Sequence, residues 1–258
     1  MAMNWSDTGP RVSCVMVTAN RAAIARRAVA CFLEQTWGNR ELVVVDDGNE
    51  DYAALFAGIP ADRLLYHREP KRADATLGTL RNLSLDLARG DMVAQWDDDD
   101  WYHPDRLTRQ IAALDTRFDA CVLGATLMHL DAPEWRERPY VGYLKRGVPG
   151  TILHRAASSI RYPAQRRGED TVFLDHWPGN RLTILAAPEL FLRAFHGGNT
   201  WERAHFERRV RNSVPAQIEY WGRKLFGQPI FAHTRFNLKP VERDAFTRFE
   251  RQNEMLGL

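Results

Sequence analysis

MVAQWDDDDWYHPDRL, residues 92–107, holds the decisive pattern: a short apolar run ends in a tryptophan and passes directly into four carboxylates, Asp97, Asp98, Asp99 and Asp100. A run such as 92–96 reads as a strand covered on both faces, as parallel strands are. Just upstream, Leu77, Leu80, Ser84 and Leu87 share one helical face, and Gly90 stops that helix before the strand. Further back, strands are expected over 12–18, 42–45 and 64–66 and a short helix over 52–56. Ile24, Ala28 and Phe32 mark a helix after the first strand, with Asn20 as its expected cap. Downstream, Leu107, Ile111 and Leu114 mark a helix after Pro104, followed by a strand over 121–128. Strands alternating with helices predict an α/β domain with a mostly parallel, doubly wound sheet.

Regularity then declines. Residues 131–168 are rich in Pro, Gly, Arg and aromatic residues and read as functional loops. Two β-like runs follow, over 182–186 and 190–195. The remaining tail reads as helices interrupted at Pro215, Pro229 and Pro240. We place a first domain at 1–198 and a helical C-terminal extension at 199–258.

The 258 residues, 45% apolar and 26% charged, are enough for a buried core and exclude a disordered chain. The net charge of +2 hides an asymmetry: from residue 193 onward there are 12 Lys/Arg against 7 Asp/Glu, a balance of +5. A basic tail containing Arg208, Arg209 and Arg211 suits an anionic lipid, a nucleic acid or a phosphorylated substrate, or else a solvated helix face. Cys14, Cys31 and Cys121 are odd in number, widely spaced and set in apolar stretches, which predicts buried, reduced thiols. The start MAMNWSDTGPR lacks the apolar core of a signal peptide, and no apolar run reaches the ~20 residues of a membrane span. The expected location is cytoplasmic, with peripheral contact to the inner face of a membrane left open.

Ligands of open α/β sheets bind outside the carboxyl ends of the strands, where Asp97 to Asp100 stand. Crowded carboxylates raise one another's pKa unless a cation compensates them, and a divalent metal is the simplest remedy. Oxygen ligands favour Mg²⁺ or Mn²⁺ and leave positions for a substrate's phosphates. The competing reading is an acidic turn capping the next helix from Asp100 or Asp105. A second pair, Asp46 and Asp47 in VVVDDGN, also ends a buried strand, and with the TANR segment, 18–21, it would flank the same crevice. Neither a GxxxxGKS/T nor a GxGxxG motif follows any strand, so a P-loop or classical dinucleotide fingerprint is not supported.

Four segments together, VSCVMVTANR, FLEQTWGNRELVVVDDGNED, LGTLRNLSLDLARGDMVAQWDDDDWYHPDRL and RRGEDTVFL, resemble the inverting family 2 glycosyltransferases in order, spacing and strand placement across residues 12–174. Ala19 departs from the aromatic residue many members carry there, and Asn49 from the usual Ser. The resemblance implies the GT-A fold, a Rossmann-like, mostly parallel sheet flanked by helices. It further implies that Asp46 or Asp47 accepts from a nucleotide base, Asp46 by preference, in a pocket lined by Thr18, Asn20 and Arg21. Asp97 and Asp98 would lie near the ribose, and Asp99 would bind Mn²⁺ or Mg²⁺ bridging a diphosphate. Arg81 would approach the nucleotide, with Arg72 as a weaker candidate. In GED, 168–170, Asp170 would be the general base, with Glu169 the competing carboxylate. His196, in AFHGGNTW, is a candidate metal ligand, and Trp177 and Trp201 are candidate sugar platforms.

The implied activity is metal-dependent, inverting transfer of a sugar from a nucleotide diphosphate sugar to a hydroxyl acceptor: a saccharide, a lipid-linked saccharide or a protein. No nucleic-acid partner is expected. Two other classes compete. One is a catalytically silent nucleotide or carbohydrate binding module, against which Asp99 and Asp170 argue. The other is a sugar-nucleotide nucleotidyltransferase, which would carry a Gly-rich basic loop where TANRAAIAR has no glycine.

Overall fold

The apolar runs of the first half become the centre of a sheet because almost nothing in them tolerates water. In the computed structural model, which describes residues 4–197 and 202–258, β1 (Val12–Thr18) and β2 (Arg40–Asp46) are buried almost throughout. They pair in parallel, Val12 opposite Arg40 and Thr18 opposite Asp46. Helix α1 (Ala22–Leu33) makes the crossover. Its C-terminal carbonyls at Phe32 and Leu33 accept bonds of 2.9 Å each from the Arg40 guanidinium, so a buried cation of β2 satisfies the negative end of the helix before it.

Helix α2 (Ala53–Phe56) precedes β3 (Leu64–Arg68), and α3 (Leu77–Leu87) precedes β4 (Met92–Gln95). Beyond them lie β5 (Trp101–Tyr102), α4 (Arg106–Ala112), β6 (Ala120–Leu123), β7 (Ala125–Leu130), β8 (Tyr140–Tyr143), β9 (Leu153–Arg155), α5 (Glu169–Asp175), β10 (Leu182–Leu185) and β11 (Phe191–Phe195). The chain closes with α6 (Arg203–Arg208), α7 (Val214–Leu225) and α8 (Pro240–Leu256). The large sheet has the order β10-β6-β9-β4-β1-β2-β3, parallel except for β9. A smaller sheet, β5-β11-β7-β8, packs beside it. The expected α/β class and parallel-rich sheet are what the chain adopts.

Three local expectations change. The run 121–128 is two strands, because the chain breaks at Gly124 and passes from the large sheet into the small one. Even an added Cβ at Gly124 would lie 2.9 Å from Ile184, so the break is packed tightly. Pro215 and Pro240 do not interrupt helices but sit in the first turns of α7 and α8, where a missing N–H costs nothing. Asn20 does not cap α1. It takes φ 54°, and its Oδ1 accepts from the backbone N–H groups of Asn49 (2.7 Å) and Glu50 (3.3 Å). Glu50 in turn accepts from the Ala22 N–H at 2.8 Å, so the loop after β2 caps the helix after β1. Cys14, Cys31 and Cys121 are free and buried, as their surroundings predict.

The main core lies between α1, α4 and the sheets, and Ala245, Phe246 and Phe249 of α8 belong to it. No helix among the described residues is long and apolar enough to cross a membrane.

Candidate active site

Parallel pairing brings the carboxyl ends of β1, β2 and β4 to one edge, and the acids follow. Asp98 is 3% exposed; its Oδ2 accepts from the Thr18 hydroxyl at 2.6 Å and its Oδ1 from Arg21 Nη1 at 3.0 Å. Arg21 Nη2 also lies 3.3 Å from Asp99 Oδ2. The Tyr52 hydroxyl closes the network, accepting from the Arg21 backbone N–H (2.8 Å) and lying 2.9 Å from Thr18 Oγ1. Tyr52 carried no signal in the sequence except its place at the start of a short helix.

Asp97 is held differently. Arg81 donates through Nη2 to Asp97 Oδ1 (2.8 Å) and through Nε to Glu169 Oε1 (3.1 Å), bridging the strand-end acids to α5. Gln95 Nε2 donates to both Asp97 oxygens at 3.2 Å. Arginines therefore supply part of the compensation that the carboxylate run demands. A third arginine, Arg193 of β11, matches no motif in the sequence. It lines the same cleft as Arg21, Arg81, Asp97, Asp99 and Asp170. Burial works against its charge, but Asp100, Asp170, Asp99 and Asp97 outweigh that and hold its pKa above the ordinary arginine value. Its signal was available: in FLRAF it breaks an otherwise apolar strand.

The crowding divides the acids. Burial and the neighbouring Asp99 push Asp98 up, while Arg21 and Thr18 restrain it. Asp99 is only half-buried, and although desolvation works against its charge, His196, Arg21 and Arg193 bring it below the usual carboxylate value. His196 Nε2 lies 3.5 Å from Asp99 Oδ2 across the cleft, so the loop after β11 meets the loop after β4. Among the described residues no group of three or more His, Cys, Asp or Glu is arranged to hold a metal. The Asp99 and His196 pair offers one oxygen and one imidazole nitrogen, a donor set that fits a divalent cation completed by ligands from outside the chain.

Glu169 and Asp170 open α5 and differ sharply. Glu169 is 3% exposed and tied to Arg81; burial raises its pKa, and Asp170 adds to the rise against Arg81. Asp170 lines the cleft, accepting through Oδ1 from the Thr171 N–H at 2.7 Å. Gly168 before them has φ 74°, a left-handed conformation that glycine adopts without cost.

Other candidates fall elsewhere. Asp46 is fully buried; its Oδ1 accepts from the Gly48 N–H (2.8 Å) and its Oδ2 from the Tyr66 hydroxyl (2.6 Å), which leaves Asp47 the more exposed of the two. Asn20 joins the loops after β1 and β2. Arg72 is exposed and paired with Asp74. Trp177 is 3% exposed and packs on His154 and Phe173, so it is a core residue and not a sugar platform. Trp201 lies outside the described residues. On the other side of His196 is a second cavity of about 580 Å³ between α1, β11 and α8, lined by Arg27, Phe195, Phe249 and Glu254 among others.

Comparison with known proteins gives the same picture. The sequence profile described as Glycosyl transferase family 2 matches residues 13–183. EpsE of Bacillus subtilis (strain 168), whose name describes it as a glycosyltransferase, is 30% identical over 189 residues, covering 66% of this chain and 66% of EpsE. Other curated relatives are matched over less of their own length, 44% and 36% in two cases. Among solved structures, S. aureus TarS 1-349 in complex with UDP-GlcNAc aligns with a TM-score of 0.56 at 17% identity, covering 81% of this chain and 73% of that one. Mannosyltransferase PcManGT from Pyrobaculum calidifontis, in complex with GDP-Man and Mn²⁺, also aligns at 0.56, with 14% identity over 96% of this chain and 78% of that one. At such identities the two structures speak for the shared fold.

Proposed function

This chain belongs to glycosyl transferase family 2, and from that premise we propose that it transfers a sugar, with inversion, from a nucleoside diphosphate sugar to a hydroxyl acceptor. The observation that carries the reading is that one cleft gathers Asp99, Asp170, Arg21 and Arg193, with His196 facing Asp99. Asp99 and His196 stand 3.5 Å apart, with Arg21 Nη2 3.3 Å from Asp99 and Arg193 lining the same cleft. Asp170 opens α5 at the same cleft, its neighbour Glu169 already engaged by Arg81.

In this reading Thr18, Arg21 and Asp98 form the floor under the nucleotide, and Asp47 is the carboxylate left to accept from the base because both oxygens of Asp46 are engaged internally. Asp99 and His196 would hold Mn²⁺ or Mg²⁺. When bound, that cation would supply electrostatic stabilisation of the leaving diphosphate. Arg21 and Arg193 add fixed positive charge to the same place. Asp170 accepts the proton of the acceptor hydroxyl while that hydroxyl's oxygen forms a bond to the anomeric carbon. The bond from that carbon to the diphosphate oxygen breaks, and its electron pair leaves with the diphosphate. Attack from the face opposite the leaving group inverts the centre.

The acceptor is a saccharide, a lipid-linked saccharide or a protein, and we assign its choice to residues 131–167 and the C-terminal extension from 199, which border the cavity beyond His196 through Asp131, Arg136 and α8. The test compares Asp170→Asn with Glu169→Gln for transfer rate and donor affinity. General-base assistance is worth ~10²- to 10⁴-fold, so Asp170→Asn should lose turnover on that scale with donor binding retained. Near-normal transfer by Asp170→Asn, or a product that keeps the donor's anomeric configuration, refutes the mechanism.

A further inference from the structure

Helix α7 carries its large apolar side chains on the wrong side for a core. Val214, Ile218, Trp221 and Leu225 recur at intervals of four, three and four residues, which confines them to a stripe roughly 60° wide on a helix of 100° per residue. They are 71%, 70%, 51% and 80% exposed, and Phe226 at the helix end is 76% exposed. The opposite face is the one that packs, with Ala216 buried and the Ala216 carbonyl 3.0 Å from His233 Nε2. The stripe is therefore not left over from a poorly packed helix. The helix is anchored by its other face and presents this one.

Charge around the stripe has one sign. Glu207 and Glu219, the acidic residues from Arg203 through Leu225, are each engaged by an arginine of their own helix, Arg203 (2.7 Å) and Arg223 (3.0 Å). Arg208, Arg211 and Lys224 have no carboxylate partner among the described residues. Arg211 lies 5.4 Å and Lys224 5.3 Å from the Trp221 ring centroid, so two cations rim the tryptophan. Arg209 does not join them: it turns inward, half-buried beside His205. An apolar stripe with an interfacial tryptophan and a cationic rim is complementary to one kind of surface, hydrocarbon lying just beneath anionic headgroups.

We propose that the exposed face of α7 docks this protein onto an anionic lipid bilayer, with Val214, Ile218, Trp221, Leu225 and Phe226 entering the headgroup boundary and Arg208, Arg211 and Lys224 meeting the anionic headgroups. This goes beyond the proposed transfer chemistry and does not depend on it. The test uses the full chain and sedimentation with large vesicles of phosphatidylcholine, with or without about one third phosphatidylglycerol. Wild type should bind the anionic vesicles and release as salt rises. Because all five apolar side chains are exposed, Ile218→Ser/Leu225→Ser should keep the wild-type circular dichroism and melting temperature while vesicle binding drops more than about tenfold. Arg211→Gln/Lys224→Gln should lower it about fivefold per cation removed, and only for anionic vesicles. Wild-type binding by Ile218→Ser/Leu225→Ser, or equal wild-type binding to both lipid mixtures, overturns the proposal. So does a dimer in analytical ultracentrifugation that these substitutions dissociate, which would make the stripe a contact between copies.

Discussion

The Arg81 bridge can be tested by its energetics. Its guanidinium side chain is 8% exposed and joins Asp97, 22% exposed, to Glu169, 3% exposed. Replacing Arg81 with Met keeps much of the volume and leaves Glu169 without its counter-ion in a buried position. Removing one partner of a buried pair costs about 3–5 kcal/mol, and most of that falls on Glu169, because Asp97 retains the Gln95 amide and more contact with solvent. Glu169→Gln removes the buried charge itself and leaves Arg81 paired with Asp97, so it should cost less, about 1–2 kcal/mol. In the double variant the orphaned charge no longer exists. Urea denaturation of the four proteins should therefore give a coupling of about 1–3 kcal/mol, the double variant being more stable than the sum of the single losses. The pH dependence follows in sign. Without Arg81, burial and Asp170 push Glu169 still higher, so the folded state takes up a proton that the unfolded state lacks. Stability of Arg81→Met should then rise relative to wild type as pH falls from neutrality towards the ordinary carboxylate range of the unfolded chain. Additivity within about 0.5 kcal/mol, or a deficit that does not change with pH, would show that Arg81 and Glu169 do not act as a pair.

Calorimetric titration of UDP and GDP with Mn²⁺ should show metal-dependent binding that falls at least about tenfold in both Asp99→Asn and His196→Ala, a scale already reached by changes to the outer partners of metal sites; wild-type affinity in His196→Ala would make that histidine structural. Burial depresses His154 to about 4, so the unfolded state binds the proton first, and the stability this residue contributes above about pH 6.5 is lost as pH falls towards 4. That loss approaches about 3 kcal/mol, and His154→Phe should show a correspondingly flatter stability profile in acid; parallel profiles would refute the assignment. Gly78→Ala should destabilise by about 1–3 kcal/mol although alanine is the better helix former, because a Cβ there would lie 1.8 Å from the Pro163 carbonyl oxygen; a higher melting temperature would contradict this close approach of α3 to the 163–165 loop.

The parallel sheet was legible because burial on both faces leaves a local trace: 12–18 and 42–45 are nearly unbroken apolar runs, and their strands extend over Val12–Thr18 and Arg40–Asp46. The acids at the strand ends were legible too, since a sheet edge gathers whatever follows parallel strands. Chain order alone could not divide labour among them. Resemblance favours Asp46 over Asp47 for the base, but tertiary packing directs its two oxygens to Gly48 and Tyr66. Nor could spacing reveal that Arg81 holds Glu169, 88 residues away, leaving Asp170 facing the cleft, or that Arg193 enters it from the second sheet. The basic tail shows the same boundary between the two kinds of information. Composition placed positive charge after residue 193, whereas only the packing of Ala216 inward determined that α7 turns its apolar stripe to the outside. Periodicity records which residues share a face. Which way that face points depends on partners distant in sequence, and those are set by the packing of the whole chain.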